Sequence, residues 1–436
     1  MRRVTTTLAS DPARPTPPFL FLFLDLPFGA AVGYAMIAMP FWLRQGGVPL
    51  DRVGAISAAV FAPHAFKILW IPVLDIGSLK RAWYLAMTAA TAGLLVAASL
   101  VPDPLRNLGL YTTLVMLAQA TATTAHAANN ALMAITTRLE DKGKAGGFSM
   151  ASNVGGTGLL GALALWVSEH VSPRAGGLVL AVVIVASAAL ALRIVEPRRV
   201  DLAVAQAGSL ARALGRHLWE MLKDLGRTVR SRDGFTGLVI CLVPVGCGAL
   251  TNLFAGMAPD FGATGRVVGI VNGIGGGLTA AAGALVGGYL ADRMSRRLAY
   301  AAAGGLTALS ALAMLLAPLT QTTYAWGTLA YSFANGIAFA TWAGMVLELI
   351  GHTAATTTKY ALFNASSNLA ISYVTWLDGW AAGGWLFPAE LRGSRGSLAM
   401  DVMLTLAGIA ALLVMVAVVR RRAGPSPAAS AADVGG

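Results

Sequence analysis

Twelve stretches of about 20 or more mostly apolar residues run through this chain, and no other feature limits its fold so strongly. They cover 19–43, 53–74, 82–101, 108–134, 146–168, 175–195, 235–258, 267–290, 298–318, 323–350, 357–386 and 397–419. In a bilayer core no water is at hand for backbone N–H and C=O groups, so a spanning segment must satisfy them internally. Long continuous apolar runs do this as helices; a barrel would show short alternating segments instead. Composition agrees. Of 436 residues, 56% are hydrophobic and only 12% are charged, against about 25% in a soluble protein. That excludes disorder, a collagen repeat, a disulfide scaffold and almost any cytosolic enzyme. Cys241 and Cys247 lie six apart in an apolar run, with neither disulfide nor metal spacing, and read as packing residues.

The net charge of +12 could suggest nucleic acid, but the positions of the charges explain it better. With the N-terminus placed in the cytoplasm, cytoplasmic segments hold 24 Lys and Arg and the opposite side holds seven. The positive-inside rule therefore predicts a multi-pass inner-membrane protein with both termini cytoplasmic. Arg2 and Arg3 followed by an apolar run resemble a signal peptide. That run is about 25 residues long, contains Asp25 and is followed by further spans, so it is read as a retained first helix. Lipid is thus one expected partner and nucleic acid is not.

The longest connection, 196–233, divides the spans six and six, into bundles over 18–195 and 234–419. Within it Leu210, Leu214, Leu218, Leu222, Leu225 and Val229 recur at helical spacing. Arg212, Arg216, Lys223, Arg227 and Arg230 lie between them, as in a basic amphipathic helix resting on the inner leaflet. A regulatory partner site is the other reading of that helix. Residues 1–17 and 420–436 are expected to be disordered tails. Asp75 followed by Lys80 and Arg81 is echoed, about half a chain length later, by Asp292 followed by Arg293, Arg296 and Arg297. Such repetition suits two similar bundles about a midplane site.

The loop Gly288-Tyr-Leu-Ala-Asp292-Arg293-Met-Ser-Arg296-Arg297 resembles the G-x-x-x-D-R-x-G-R-R loop of the major facilitator superfamily, with Ser295 where the second glycine usually stands. The resemblance implies an all-α membrane protein of twelve transmembrane helices in two pseudo-symmetric six-helix bundles. Asp75, Asp292, Arg293, Arg296 and Arg297 would then latch one conformational state, since a helix-end carboxylate can bridge to arginines. A plain positive-inside anchor is the alternative. Leu26-Pro27-Phe28-Gly29, Pro40-Phe-Trp42-Leu43-Arg44 and the run from Phe66-Lys67 through Trp70 and Pro72 to Asp75 are similar to the AmpG-type muropeptide permease and acetyl-CoA transporter group. Gly161 through Trp166 and Lys359-Tyr360-Ala361-Leu362 extend the similarity. Where that group carries two carboxylates four apart in helix 4, this chain has His126 and Asn130.

Ionisable residues at membrane depth cost about 2.5–3.5 kcal/mol each on insertion scales, so those present are candidates for function. Asp25 lies roughly 9 Å, and Lys67 roughly 12 Å, from the cytoplasmic end of their helices at 1.5 Å per residue. The similar depths suggest that the two pair or sit across the same cavity, either as a structural pair or as a proton or anion site. His64 is one turn from Lys67. His126 shares a helical face with Asn129 and Asn130, and could couple protons or simply bond between helices. Asn252, Asn272, Asn335, Asn364 and Asn368, with Trp342, Trp376 and Trp380, could line a site for a sugar, a peptide or an amphipathic organic molecule. Each of these can equally serve as helix glue. Asp378 and Glu348 are further charged candidates.

Glycines at 155, 156, 158 and 161, and from 269 to 287, would let helices 5 and 8 approach closely and slide. The run Gly273-Ile-Gly275-Gly-Gly lies inside a span with no preceding strand, so it is not a nucleotide loop, and no cofactor or metal is expected. No H-E-x-x-H or G-x-S-x-G is present, so an enzyme is not expected. The reading is a monomeric secondary transporter working by alternating access and coupled to protons, with a muropeptide-like sugar-peptide or similar solute as cargo. Siderophore import, and a non-transporting sensor or assembly factor, are the alternatives.

Overall fold

The computed structural model describes residues 15–75, 80–196, 210–350 and 356–422. Among these residues every regular element is helical. Span 1 is Leu20–Gln45 and span 2 begins as Leu50–Phe66. Spans 3 to 6 are Lys80–Ser99, Leu108–Thr136, Lys142–His170 and Pro173–Ala188. A linker helix, Leu210–Arg230, follows. Span 7 begins as Arg232–Leu242 and span 8 is Gly265–Arg293. Spans 9 to 12 are Arg296–Leu316, Gln321–Ile350, Thr356–Ala382 and Ser394–Arg422. Among the described residues seven of these helices are long and apolar enough to cross a membrane by length and composition alone. Spans 4 and 11 are more polar, with Gln119, His126, Asn129 and Asn130 in one and Asn364, Asn368 and Asp378 in the other.

Several spans are less regular than their apolar runs suggest. Span 1 contains a π-helical turn, Tyr34–Ala38, and span 8 another, Gly269–Gly275. Span 2 leaves α-geometry after Phe66 and continues as 3₁₀ turns, Lys67–Leu69 and Ile71–Asp75. Pro63 and Pro72 lack the N–H groups that would carry the helix on. The expected unbroken helix over 235–258 is also corrected. Span 7 stops at Leu242 and resumes as the 3₁₀ turn Ala249–Asn252. Pro244 supplies no donor there, and Gly246 and Gly248 take φ of 59° and 77°, which only glycine adopts without strain. A freed carbonyl is satisfied across helices: the Tyr373 hydroxyl donates to Leu242 O at 2.7 Å.

The expected tails lie mostly at 1–14 and 423–436, outside the described residues. Two parts of them are placed. Thr16 N donates to Thr136 O at 2.8 Å, and Arg420–Arg422 continue the helix of span 12 rather than starting a tail.

We call the side carrying the linker helix the linker face and the opposite side the distal face. Three hydrophobic cores distinguish them. On the distal half one core crosses both bundles, joining Leu50, Val53 and Phe61 to Leu250, Leu253, Phe254 and Met257. On the linker half each bundle has its own: Phe21, Leu24, Leu132 and Ile194 in the first, Ile240, Val245, Met345 and Phe363 in the second. The linker-side part of span 1, Leu26–Gly33, packs on spans 4, 5 and 6 of its own bundle. Residues 34–45 of the same span reach across to span 7. The shared apolar core therefore lies on the distal half, and on the linker half the bundles keep separate cores while spans 2 and 11 continue in contact, with Ile68 of span 2 reaching the second bundle's core.

Glycine makes the distal junction close. A Cβ on Gly54 of span 2 would lie 2.5 Å from Gly379 Cα of span 11, and one on Gly158 of span 5 would lie 2.4 Å from Gly273 O of span 8. Lipid tails are as apolar as side chains, so helix association in a membrane rests on such close packing. Gly54→Leu is expected to wedge spans 2 and 11 apart. Spin labels at Arg106 and Thr322, on the distal ends of the two bundles, should then report a new longer distance. An unchanged distance distribution would count against this junction as the distal seal.

Candidate functional site

Asp25 interrupts span 1, ending the helix Leu20–Leu24 and preceding Leu26–Gly33, whose first turn holds Pro27. Its carboxylate is fully buried. An unpaired carboxylate at that depth would be costly, and donors from two neighbouring helices answer it. His126 Nδ1 and Asn129 Nδ2 of span 4 each lie 2.9 Å from Oδ1. The Ser149 hydroxyl of span 5 donates to Oδ2. His126 Nε2 is 3.1 Å from Asn130 Nδ2. With the amide as donor, the network assigns a neutral imidazole whose proton is on Nδ1. A protonated His126 would donate from both nitrogens, and Asn130 would have to turn its oxygen toward the ring. The ring of Phe28 stacks on His126 at 4.3 Å.

The expected pairing of Asp25 with Lys67 is corrected by this geometry. The linker half of span 1 packs on spans 4 and 5, so Asp25 turns toward them rather than toward span 2. Lys67 is half-buried and is instead the charged neighbour of His64. His64 Nε2 lies 3.2 Å from Gln119 Oε1, and Gln119 Nε2 donates to Ala31 O at 2.7 Å.

In the second bundle the polar set is dispersed. Asn252 donates to Thr375 Oγ1 at 3.1 Å and ties span 7 to span 11. Asn335 packs against Gly248, where a Cβ would lie 2.3 Å from its Oδ1. Asn272 accepts from the Tyr324 hydroxyl at 2.7 Å. Asn364 and Asn368 are half-buried and bonded to each other, with Asn368 Nδ2 at 2.8 Å from Asn364 O. Trp342 is buried in the linker-side core, while Trp376 and Trp380 are 48% and 37% exposed. Asn252, Asn335 and the Thr375 beside Trp376 thus gather near the break in span 7, while Trp342 lies in the linker-side core. Asp378 is fully buried, away from Asp25 in the other bundle.

The basic loops hold their own bundles together. Arg296 pairs with Glu348 of span 10 at 3.6 Å, and Arg293 lies over the Tyr289 ring. Asp292 is exposed and Arg297 half-exposed. The side chain of Asp75 lies outside the described residues. At the equivalent place in the first bundle, Glu196 accepts from the backbone N–H of Lys80 and of Arg81 at 2.8 and 3.0 Å, as an acid at a helix N-terminus should.

The ion pair that does cross between bundles is on the distal face, at residues the motifs did not single out. Arg44, at the end of span 1, donates to Asp260, just beyond span 7. Arg44 Nε also donates to Gly256 O at 3.0 Å. The other oxygen of Asp260 accepts from Ser394 N and Oγ at 3.1 and 2.7 Å, at the N-terminus of span 12. Nearby, the Glu169 carboxylate of span 5 sits where a Cβ on Gly265 would be, at the start of span 8. The sequence signal was present: Arg44 and Asp260 are charges directly at span ends, in different halves.

Two helical bundles that share one apolar core on the distal half and keep separate cores on the linker half make a multi-pass membrane protein. The chain belongs to the Major Facilitator Superfamily, whose sequence model matches residues 21–375. Solved structures agree in fold. A D-xylose-proton symporter superposes with a TM-score of 0.66 at 14% identity, covering 91% of this chain and 96% of its own. The inward-open xylose transporter XylE from E. coli gives 0.65 at 13%, covering 92% and 96%. A bacterial homolog of the human lysosomal transporter Spinster gives 0.61 at 13%, covering 92% and 94%.

Breaking the distal ion pair should favour distal opening. A charge-assisted hydrogen bond is worth ~1.5–3 kcal/mol, so Arg44→Ala should raise the open fraction by about 10- to 100-fold. A cysteine at the buried Met257 would report this as faster maleimide labelling. The charge-reversed pair, Arg44→Asp with Asp260→Arg, should regain much of the closure; equal labelling of single and double variants would remove the ion pair's role. His126→Ala deprives Asp25 of a donor and should cost ~1–3 kcal/mol of stability. His126→Gln, which can still donate, should recover most of the loss in thermal unfolding.

Proposed function

We propose that this transporter is a proton-coupled importer of a small amphipathic organic solute, a sugar-peptide of muropeptide type or a close chemical analogue. We further propose that it acts as a monomer in the inner membrane, with the linker face in the cytoplasm. One observation carries the coupling. The Asp25–His126–Asn130 chain lies in the linker half, where span 1 packs mainly against its own bundle and each bundle has its own apolar core. Protonation there changes the hydrogen bond that His126 offers Asn130, so the site can translate a proton into a change of polar surface.

The cargo reading rests on chemistry and resemblance. Phe28, Asn130, His64 and Trp70 provide an aromatic and hydrogen-bonding surface near Asp25; the Trp70 Nε1 donates to Thr124 Oγ1 at 2.9 Å. Such surfaces suit sugars and amides. The AmpG-type similarity of 66–75 points to the same cargo class, and the D-xylose-proton symporter is a neighbour in fold that couples a sugar to protons. An inward proton supplies about 2.3 kcal/mol per 100 mV, comparable to one charge-assisted hydrogen bond in the distal closure.

Proteoliposomes with an imposed pH gradient test this reading. The protein should concentrate a radiolabelled disaccharide-peptide. Asp25→Asn should abolish gradient-driven concentration while leaving exchange of solute across the membrane. Full accumulation by Asp25→Asn would refute coupling at Asp25; absence of flux for sugar-peptides, with flux for another solute class, would refute the cargo.

A further inference from the structure

The second bundle buries two carboxylates that the reading above does not use. Asp378 of span 11 is 0% exposed and Asp401 of span 12 is 1% exposed. Asp401 was not singled out in the sequence, although it is the one acid within the apolar run 397–419. Asp378 lies four residues before the distal end of span 11, roughly 6 Å from it along the helix. The Ser397 hydroxyl donates to Asp378 O at 2.8 Å. Asp401 is one helical turn from Ser397 and so on the same face of span 12. The two carboxylates are thus brought to one junction, and each acts electrostatically on the same neighbours, Tyr331 and Cys247.

The donors at this junction are too few for two charges. The Tyr331 hydroxyl stands 3.3 Å from each oxygen of Asp401, a long approach to both. Neither oxygen of Asp378 has a hydrogen-bond partner among the described residues. The titratable groups beside the pair are Cys247 at the break in span 7 and Tyr331 of span 10; Tyr300 of span 9 and Tyr373 of span 11 neighbour Cys247 rather than the carboxylates. No positively charged side chain among the described residues acts on either carboxylate. Two carboxylates that share a buried site cannot both be ionised, and one retained proton resolves the conflict.

The junction also borders the distal seal. Asp378 adjoins Gly379, which touches Gly54 of the other bundle. Span 12 begins at Ser394, which holds Asp260 of the distal ion pair. We propose that the buried Asp378–Asp401 pair holds a proton, forming a second proton-binding site in the bundle opposite Asp25, and that this proton keeps the distal face closed. Its loss would set two like charges between spans 11 and 12, directly behind the residues that make the seal. The site is independent of the cargo and of Asp25, so failure of either leaves it standing.

Infrared spectroscopy of the purified protein in lipid nanodiscs reads the proton directly, because a protonated carboxyl has a C=O stretch that a carboxylate lacks. At neutral pH the protein should show this band. Asp378→Asn and Asp401→Asn together should abolish it, Asp25→Asn should leave it, and replacing potassium by sodium should not change it. As pH is raised until the band disappears, the longer distance between spin labels at Arg106 and Thr322 should become about tenfold more populated, within the usual range for linked equilibria. The double Asn variant should lose that pH dependence. A missing band in the unaltered protein, a band that survives the double variant, its removal by sodium, or a distance that still lengthens with pH in the double variant would overturn the proposal. Should the variant fail to fold, the unaltered protein decides alone: the band and the distance must share one midpoint, and separate midpoints refute the link.

Discussion

A bilayer offers no hydrogen-bond partner, so each polar group inside a span must find one within the protein. This constraint organises the molecule. Asp25 collects donors from spans 4 and 5. The broken end of span 7 gives its carbonyl to Tyr373. Asn252 meets Thr375, and Gln119 bridges His64 to the backbone of span 1. These bonds lie within a bundle and make each one a rigid body. Interhelical hydrogen bonds in membranes average only about 0.6 kcal/mol, so it is their number and their placement that matter.

Between the bundles the physics differs. The distal junction relies on glycine contacts, a shared apolar core and the ion pair between Arg44 and Asp260. Glycine contacts have no side chains to disengage, so they can part without leaving a cavity to fill. The ion pair is partly exposed, its side chains 18% and 22% accessible, so water can take over its hydrogen bonds when it opens. A seal of this kind is held by a few kcal/mol, the scale on which one proton moving through a membrane potential can act. Polar networks that stabilise the bundles and a seal that releases cheaply are the two requirements of a carrier.

Much of this was legible in the sequence. Long apolar runs marked the twelve spans, the basic loops and the amphipathic run 210–229 marked one face, and the scarcity of intramembrane charge made Asp25, His126 and Asp378 stand out. Pairing was not legible. Depth along a helix places Asp25 and Lys67 at similar levels, but depth carries no information about which neighbour a helix turns toward, and Asp25 faces His126. Local geometry was hidden for another reason: Pro244, Gly246 and Gly248 sit in an apolar run whose hydropathy masks the break they cause. The motif around Asp292 drew attention to the linker face, whereas the bridge between bundles is on the distal face, carried by residues with no repeat to advertise them. Asp401 and Ser149 escaped because each acts through a partner on another helix.

The central claim is that two rigid bundles rock about their junction, closed on one face when open on the other. Paired distance measurements on single molecules in nanodiscs test it most directly, with one dye pair across the distal ends and a second across the linker ends of the same protein. The account predicts two populations, short-distal with long-linker and the inverse, and no molecule long on both faces. Distances that change together on both faces, or a linker-face distance that never shortens, would contradict it.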